Sequence, residues 1–525
     1  MTVRGRAIAS LVGLLVIFGI SACIISRGVE VSRLTVDRQD STEVHSPVRA
    51  HLVDGSTIAF RSGAVVANNR VTGGGWRYMP TLQESTFVEG IALDSVLGME
   101  AFRTHVDEGR TFIYSSLATA GLLVGTVAAI CISDPKCFGS CPTFYSDSAG
   151  TAILEAEGFS YSISPLLEAR DVDRLRAQAD STGTLKLQVW NEALETHYIN
   201  QLELLESVHA PNEFVLPDER ARPVAVQHLT TPSIAIDRAG RDVRRLVAAA
   251  ADSAIFVTDS GTLARASAAD PNDYIDLRFP RPLGADSMAI VLRLRNSLLN
   301  TVLFYDLMLA RSGARSIDWM ANDLQRIGTT LDLGRWYRNY LGLRLMVEEN
   351  GAWKQVARLS DYGPIAWRDV AAVIPVPPNG DSVHLRLEFL ADQWRIDRIA
   401  IADHVRRPRT RTVALSGVFN AEGDAEPRAL ADLRRADERY LETTPPQRFT
   451  TTFDVGSAPR DSVRTFFIAS QGYYTEWVRG SWMTGMRDTM PFRPGDAALQ
   501  SVLHLWATQK DALEKSFYRT RIPVR

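Results

Sequence analysis

Residues 382–390 read SVHLRLEFL. In an extended chain Val383, Leu385, Leu387 and Phe389 share one face, and His384, Arg386 and Glu388 share the other, because side chains alternate across a strand. A helix would scatter the same apolar residues around its circumference. The stretch is therefore a half-buried strand, and it sets the reading of the chain around it. AIVLRLR (289–295) repeats the pattern with Ile290, Leu292 and Leu294 facing inward. TLKLQVW (184–190) sets Leu185, Leu187 and Val189 against Lys186, Gln188 and Trp190, and NQLELLESVH (200–209) continues it. LGLRLMVEENGAWKQVARL (341–359) reads as a strand, an Asn350-Gly351 turn and a return strand, since both turn positions need positive φ. Proline-rich breaks at 211–223, 280–282, 375–378 and 445–446 punctuate these runs. Period-2 segments at such intervals predict antiparallel β-sandwich structure over about 137–410.

Toward the N-terminus the same signals predict a smaller β unit over 46–110. Asp54-Gly55 and Asn68-Asn69 mark hairpin turns, and Gly73-Gly74-Gly75 marks a bulge or turn between strands. Helical pieces interrupt the strands. SIDWMANDLQRIGTTLDLGRWYRNYL (316–341) and EPRALADLRRADERYL (426–441) have helical spacing or alternating charge. DAALQSVLHLWATQKDALEKSFYR (496–519) carries an apolar stripe of Leu499, Val502, Leu503, Trp506, Leu513 and Phe517. The fold class is mainly β with helical insertions. The expected organisation is a signal peptide (1–22), an anchor and tether (23–45), the small β domain (46–110) and an apolar helix (111–133). A β-rich domain (137–265), a sandwich (266–408) and a mixed β/helical C-terminal region (409–525) follow.

The chain opens MTVRGRAIASLVGLLVIFGISACIIS. Arg4 and Arg6 precede an uncharged h-region from Ala7 to Ile20, the plan of a secretory signal. Ile20-Ser21-Ala22-Cys23 resembles the bacterial lipobox, which implies cleavage before Cys23 and its lipidation. Acyl chains at about 0.8 kcal/mol per buried methylene would then hold the protein to a leaflet. By that resemblance Ile24, rather than an aspartate, favours the outer membrane, with the body facing the periplasm or cell surface.

Residues 111–133 carry no charge. Their spacing favours a helix, and Gly121, Gly125 and Ala129 form a small-residue face that lets another backbone approach. A membrane span over 112–132, a buried core helix and a contact with a protein partner all fit.

The composition narrows the function classes. A net charge of −3 without a basic run disfavours nucleic acid. The four cysteines are Cys23, Cys131, Cys137 and Cys141, so the remaining chain holds no thiolate ligand or cysteine nucleophile. Cys137 and Cys141 are a candidate disulfide in an oxidising compartment. None of the nine histidines sits in a close metal spacing, and no nucleophile elbow, dinucleotide fingerprint or P-loop occurs. His197 with Glu192 and Glu195 is the one compact titratable group: an acid-base or metal trio, or the polar edge of a strand pair. Tyr473, Tyr474, Trp477 and Trp482 form an aromatic cluster that suits either sugar stacking or a core. No catalytic residue, metal site or cofactor is assigned.

Two further resemblances follow from quoted segments. CPTFY (141–145), LETHYINQLELL (194–205) and RTFFIASQGYYTEWVRGSW (464–482) resemble a loose set of uncharacterised bacterial envelope proteins, which implies envelope placement and β architecture. VHLRLEFLADQWRIDRIAI (383–401) is similar to the closing strands of jelly-roll sandwiches in carbohydrate-binding modules. The expected function is a non-enzymatic, lipid-anchored structural or binding component, as an accessory subunit of a membrane-associated assembly. The alternative is a carbohydrate-binding or carbohydrate-processing envelope protein. The expected partners are the membrane, an envelope protein and a glycan.

Overall fold

Leu385, Leu387, Phe389, Ile290 and Leu292 are fully buried and face one another across a single apolar core, as their alternation requires. The computed structural model describes residues 27–106 and 142–519, less 34–40, 46–47, 53–55, 61, 79–84, 149, 164–166, 194, 267–269, 313–315, 317–318, 320–322, 325–326, 379, 438, 445–446, 458–461 and 477–495. The signal segment, Cys23, the 111–133 stretch with Gly121, Gly125 and Ala129, and the Cys137–Cys141 pair lie outside the described residues. No helix among the described residues is long and apolar enough to cross a membrane.

The N-terminal unit is one eight-stranded antiparallel sheet that opens with Arg27–Arg33, paired to Val96–Val106. Its core holds Val48, Ala50, Ile58, Phe60 and Val71. The Asn68-Asn69 turn has φ of 51° and 56°, the left-handed pair that a tight hairpin needs. The triple glycine is a bulge: register with strand Ser85–Ala92 shifts between Thr72 and Gly75. A Cβ on Gly75 would stand 2.7 Å from the Phe60 ring and 2.9 Å from Ile58, so only glycine fits.

The rest of the strands form four stacked antiparallel sheets. The first is ordered Thr151–Glu157, Thr143–Ser148, Thr184–Trp190, Arg448–Asp454 and Leu415–Phe419. The second contains Ala169–Arg174, Val463–Glu476, Glu195–His209 and Arg409–Val413. Phe144, Leu185, Leu187, Leu202, Leu204 and Phe466 fill the space between them. The third sheet is ordered Phe214–Pro217, Pro223–Thr230, Trp394–Arg406, Ser287–Asn296 and Arg368–Pro375. The fourth is ordered Ile234–Asp237, Asn272–Pro280, Ser382–Leu390, Leu343–Glu349 and Ala352–Leu359. The sandwich made by the third and fourth sheets, residues 214–406, is thus inserted between two halves of the sandwich made by the first and second. The expected join at 265/266 falls at the end of helix Ser260–Ala266 within this insertion. That at 408/409 falls where the chain returns to its host.

The second and third sheets also pack on each other. Val172, Leu205, Phe467 and Ala469 meet Val215 and Ala225 in one cluster. This explains why Glu195–His209 is buried along nearly its whole length rather than at alternate positions.

A helical layer covers part of the body. Helix Ile327–Tyr340 and the helical run 299–312 pack with helix Asp496–Arg519 around Leu303, Trp336, Leu503 and the fully buried Trp506. The C-terminal helix docks on the inserted sandwich: the Trp506 indole N–H donates to Asp392 at 2.6 Å and Arg395 pairs with Glu514 at 2.7 Å. The helix expected over 426–441 is confined to Pro427–Leu433, which buries Ala429 and Leu433.

Candidate functional site

The alternation that buries Leu185, Leu187 and Val189 turns Lys186, Gln188 and Trp190 to the outer face of the first sheet. Antiparallel register sets Gln188 beside Tyr145 on one side and Thr450 on the other. Lys186, Gln188, Tyr145 and Thr450, with Arg176, Gln178 and Asp180, line an open cleft of about 790 Å³. Next to it the Tyr145 and Trp190 rings stack with centroids 4.1 Å apart. The Trp190 indole N–H donates to Gln188 at 2.9 Å, and the Tyr145 hydroxyl donates to Glu192 at 2.7 Å, which fixes both rings.

The carboxylates of this cleft are already engaged by the fold. Glu155 accepts the Ser146 hydroxyl at 2.6 Å and the Arg176 backbone N–H at 2.7 Å. Asp180 accepts the Thr182 hydroxyl and the backbone N–H groups of Thr182 and Thr184, and these bonds, the hydroxyl first, hold it below the usual carboxylate range. Asp147 accepts the Gly150 N–H. With Arg176 and Lys186 opposite, the cleft has mixed charge and a high density of hydrogen-bonding groups.

The carboxylates pushed upward lie elsewhere. Asp361 accepts from Gln393 at 2.7 Å and from the Gly342 N–H at 3.1 Å, and burial moves it to about 7. It borders a small cavity of about 50 Å³ with Glu157, Tyr161 and Asn296. That space is large enough for a few waters and too small for a sugar ring. Asp173 is also raised by burial, against the attraction of Arg368.

His197 is fully buried, with Nε2 3.2 Å from Glu195, while Glu192 is drawn away to Thr143 and Tyr145. His197 and Glu195 are thus buried together within the second sheet, with Glu192 bonded to side chains of the first. Tyr473 and Tyr474 are buried, Tyr473 stacked on Tyr198 at 4.6 Å, and Trp477 and Trp482 lie outside the described residues. Trp394 belongs to the core of the inserted sandwich.

Sequence spacing assigned no metal ligands, yet the third sheet brings His228, Asp403 and His404 together, with donor atoms within 4.8 Å of one another. These residues stand 175 positions apart along the chain, so no local motif could reveal them.

The chain matches no protein-family model and no curated protein. Among solved structures it is similar to a cycloalternan-forming enzyme from Listeria monocytogenes in complex with a pentasaccharide substrate. Identity is 11%, covering 71% of this chain and 30% of that one, with a TM-score of 0.16. The chain thus spans less than a third of that enzyme's length. It is also similar to an exo-beta-1,3-galactanase from Phanerochaete chrysosporium with beta-1,3-galactotriose. There identity is 8%, covering 68% of this chain and 80% of that one, with a TM-score of 0.16. At these TM-scores neither likeness bears on fold or chemistry.

Proposed function

We propose that this chain is an envelope protein, tethered through Cys23, that binds a glycan in the cleft over strand Thr184–Trp190 without turning it over. The observation that carries the reading is the cleft itself, an open surface with many hydrogen-bonding side chains beside the half-buried Trp190, which stacks on the buried Tyr145. Polyhydroxylated ligands are held by hydrogen-bonding side chains and by contact with aromatic rings. Mixed charge suits a neutral sugar better than a polyanion. Binding rather than turnover is supported by the carboxylates. Hydrolysis needs one carboxyl kept protonated near neutral pH, whereas Asp180 is held down and Glu155 is occupied by two donors. The broad apolar face that a purely assembling subunit would present is not seen among the described residues, where the exposed Phe87, Leu229, Ile234, Leu283 and Val463 stand on separate segments.

The tether rests on the lipobox resemblance, and Cys23→Ser is expected to release the protein from the membrane fraction. For the cleft, affinity electrophoresis through gels containing neutral polysaccharides is expected to retard the protein, with the polysaccharide recovered unshortened. Retardation by none of them removes the glycan reading, and release of new reducing ends replaces binding with turnover.

A further inference from the structure

His228 and His404 both adopt left-handed backbone, each with φ of 49°. Such geometry is uncommon for a non-glycine residue. Here it occurs twice, on neighbouring strands. Strand Pro223–Thr230 pairs with Trp394–Arg406, and the register slips on both sides of the Gln227–Asp403 pair. These are bulges, which re-aim side chains that a regular ladder would send to opposite faces. Asp403 and His404 are consecutive and would alternate in a flat strand. The positive φ at His404 instead brings it round to the side of Asp403, and the matching kink at His228 aims that ring at the same point. His228 Nδ1 lies 2.9 Å from the Asp403 carboxylate and His404 Nε2 lies 4.0 Å from it. The two imidazoles meet edge to face with centroids 5.2 Å apart.

From this arrangement we infer that His228, Asp403 and His404 form a surface binding site for a late first-row divalent cation, of the Zn²⁺ type. Two imidazoles and one carboxylate are the donor set that such ions prefer. Ligand atoms around tetrahedral zinc stand roughly 3.3 Å apart, from metal–ligand distances of about 2.0–2.1 Å. The donors here lie within 4.8 Å of one another, so closure needs only rotation of two imidazoles that are 64% and 61% exposed. Three protein donors leave a fourth position for water or for a ligand atom. The carboxylate also supplies the negative charge that a divalent ion needs, and the neighbouring Gln227 carries none. Left-handed backbone at two facing residues is a local cost, offset in part by the His228–Asp403 hydrogen bond, and it is what turns both rings toward one point. The site is independent of the glycan cleft, which lies on another sheet.

The test uses the full chain with its thiols alkylated, so that cysteine cannot bind metal. Co²⁺ and Zn²⁺ are titrated in turn, by visible absorption and by calorimetry. The expected result is one bound ion per chain and a Co²⁺ band without thiolate charge-transfer absorption. His228→Gly and His404→Gly are the decisive variants, because glycine takes φ near 49° without strain and so preserves the bulged backbone of the metal-free fold. Each is expected to weaken binding by at least about tenfold, the upper loss seen even for outer-shell partners being about 100-fold. Asp403→Asn should weaken it as well. Unchanged affinity in the double glycine variant, or no binding by the parent chain, overturns the assignment.

Discussion

Arg368 of the inserted sandwich grips both carboxylate oxygens of Asp171 in its host, one of them at 3.0 Å, with both side chains buried. Its Nε lies 3.1 Å from Asp173, and the Tyr362 ring lies 4.2 Å from its guanidinium carbon. The planar fork of arginine matches a carboxylate at two points, which fixes the orientation of the two sandwiches as well as their contact. Arg368→Ala would leave the buried Asp171 carboxylate without its counter-charge, while Asp173, already pushed upward by burial, moves further toward its protonated form. The expected loss is about 3–5 kcal/mol in chemical denaturation. Replacing Arg368, Asp171 and Asp173 together by apolar residues of similar size is expected to restore most of it, because desolvation no longer has to be offset.

Asp361 gives a pH dependence of known sign. Burial raises its folded value from 3.8 to about 7. A carboxyl whose folded value lies above its unfolded one stabilises the protein at low pH, and that contribution is lost as pH rises from about 4 to 7. The span corresponds to a few kcal/mol, at about 1.4 kcal/mol per pH unit. Asp361→Asn keeps an acceptor for Gly342 and Gln393 and cannot ionise. Its stability should match or exceed the parent's at pH 7.5 and fall below it near pH 4. Parallel stability curves for the two proteins across that range would show that Asp361 does not titrate there.

Leu387 sits at the centre of the inserted sandwich, fully buried. Leu387→Ala is expected to cost about 2–5 kcal/mol in urea or guanidinium unfolding, from lost transfer energy plus the cavity left behind. A cost under 1 kcal/mol would contradict the packing described.

The C-terminal helix is held by Trp506, whose indole is fully buried and bonded to Asp392. Trp506→Ala is expected to cost about 3–5 kcal/mol and to expose 496–519 to limited proteolysis before the sandwiches are cut. Cleavage of this helix at the parent's rate would count against its docking.

How much of this was legible in the chain depends on what each element packs against. SVHLRLEFL, AIVLRLR and TLKLQVW each have one face on a sandwich core, so their alternation showed the fold class and the inward residues. Asn350-Gly351 showed its turn because only such residues take φ of 54° and 77° together. Strand Glu195–His209 gave a weaker signal because a second layer covers its other face. Its partner, Val463–Glu476, arrives after the entire insertion, and alternation says which face is buried but not which strand lies alongside. The cleft was half legible. Alternation sets Lys186, Gln188 and Trp190 opposite the apolar face, but Tyr145, Glu155 and Arg176 join Lys186 and Gln188 only through strand pairing. His228 and His404 were invisible as a pair because bulges, not spacing, bring them together.

The most direct measurement is a calorimetric titration of a retarding neutral oligosaccharide into the parent chain and into Trp190→Ala, Lys186→Ala and Gln188→Ala, with the sugar analysed afterwards. All three side chains lie on the outer face of the first sheet, so their removal should leave the core intact. The predicted result is saturable one-site binding by the parent, a large loss of affinity in each variant, with unchanged thermal stability in the exposed Lys186→Ala, and sugar recovered at its original length. Equal affinity in all four proteins, or shortened sugar, would contradict a binding cleft on strand Thr184–Trp190.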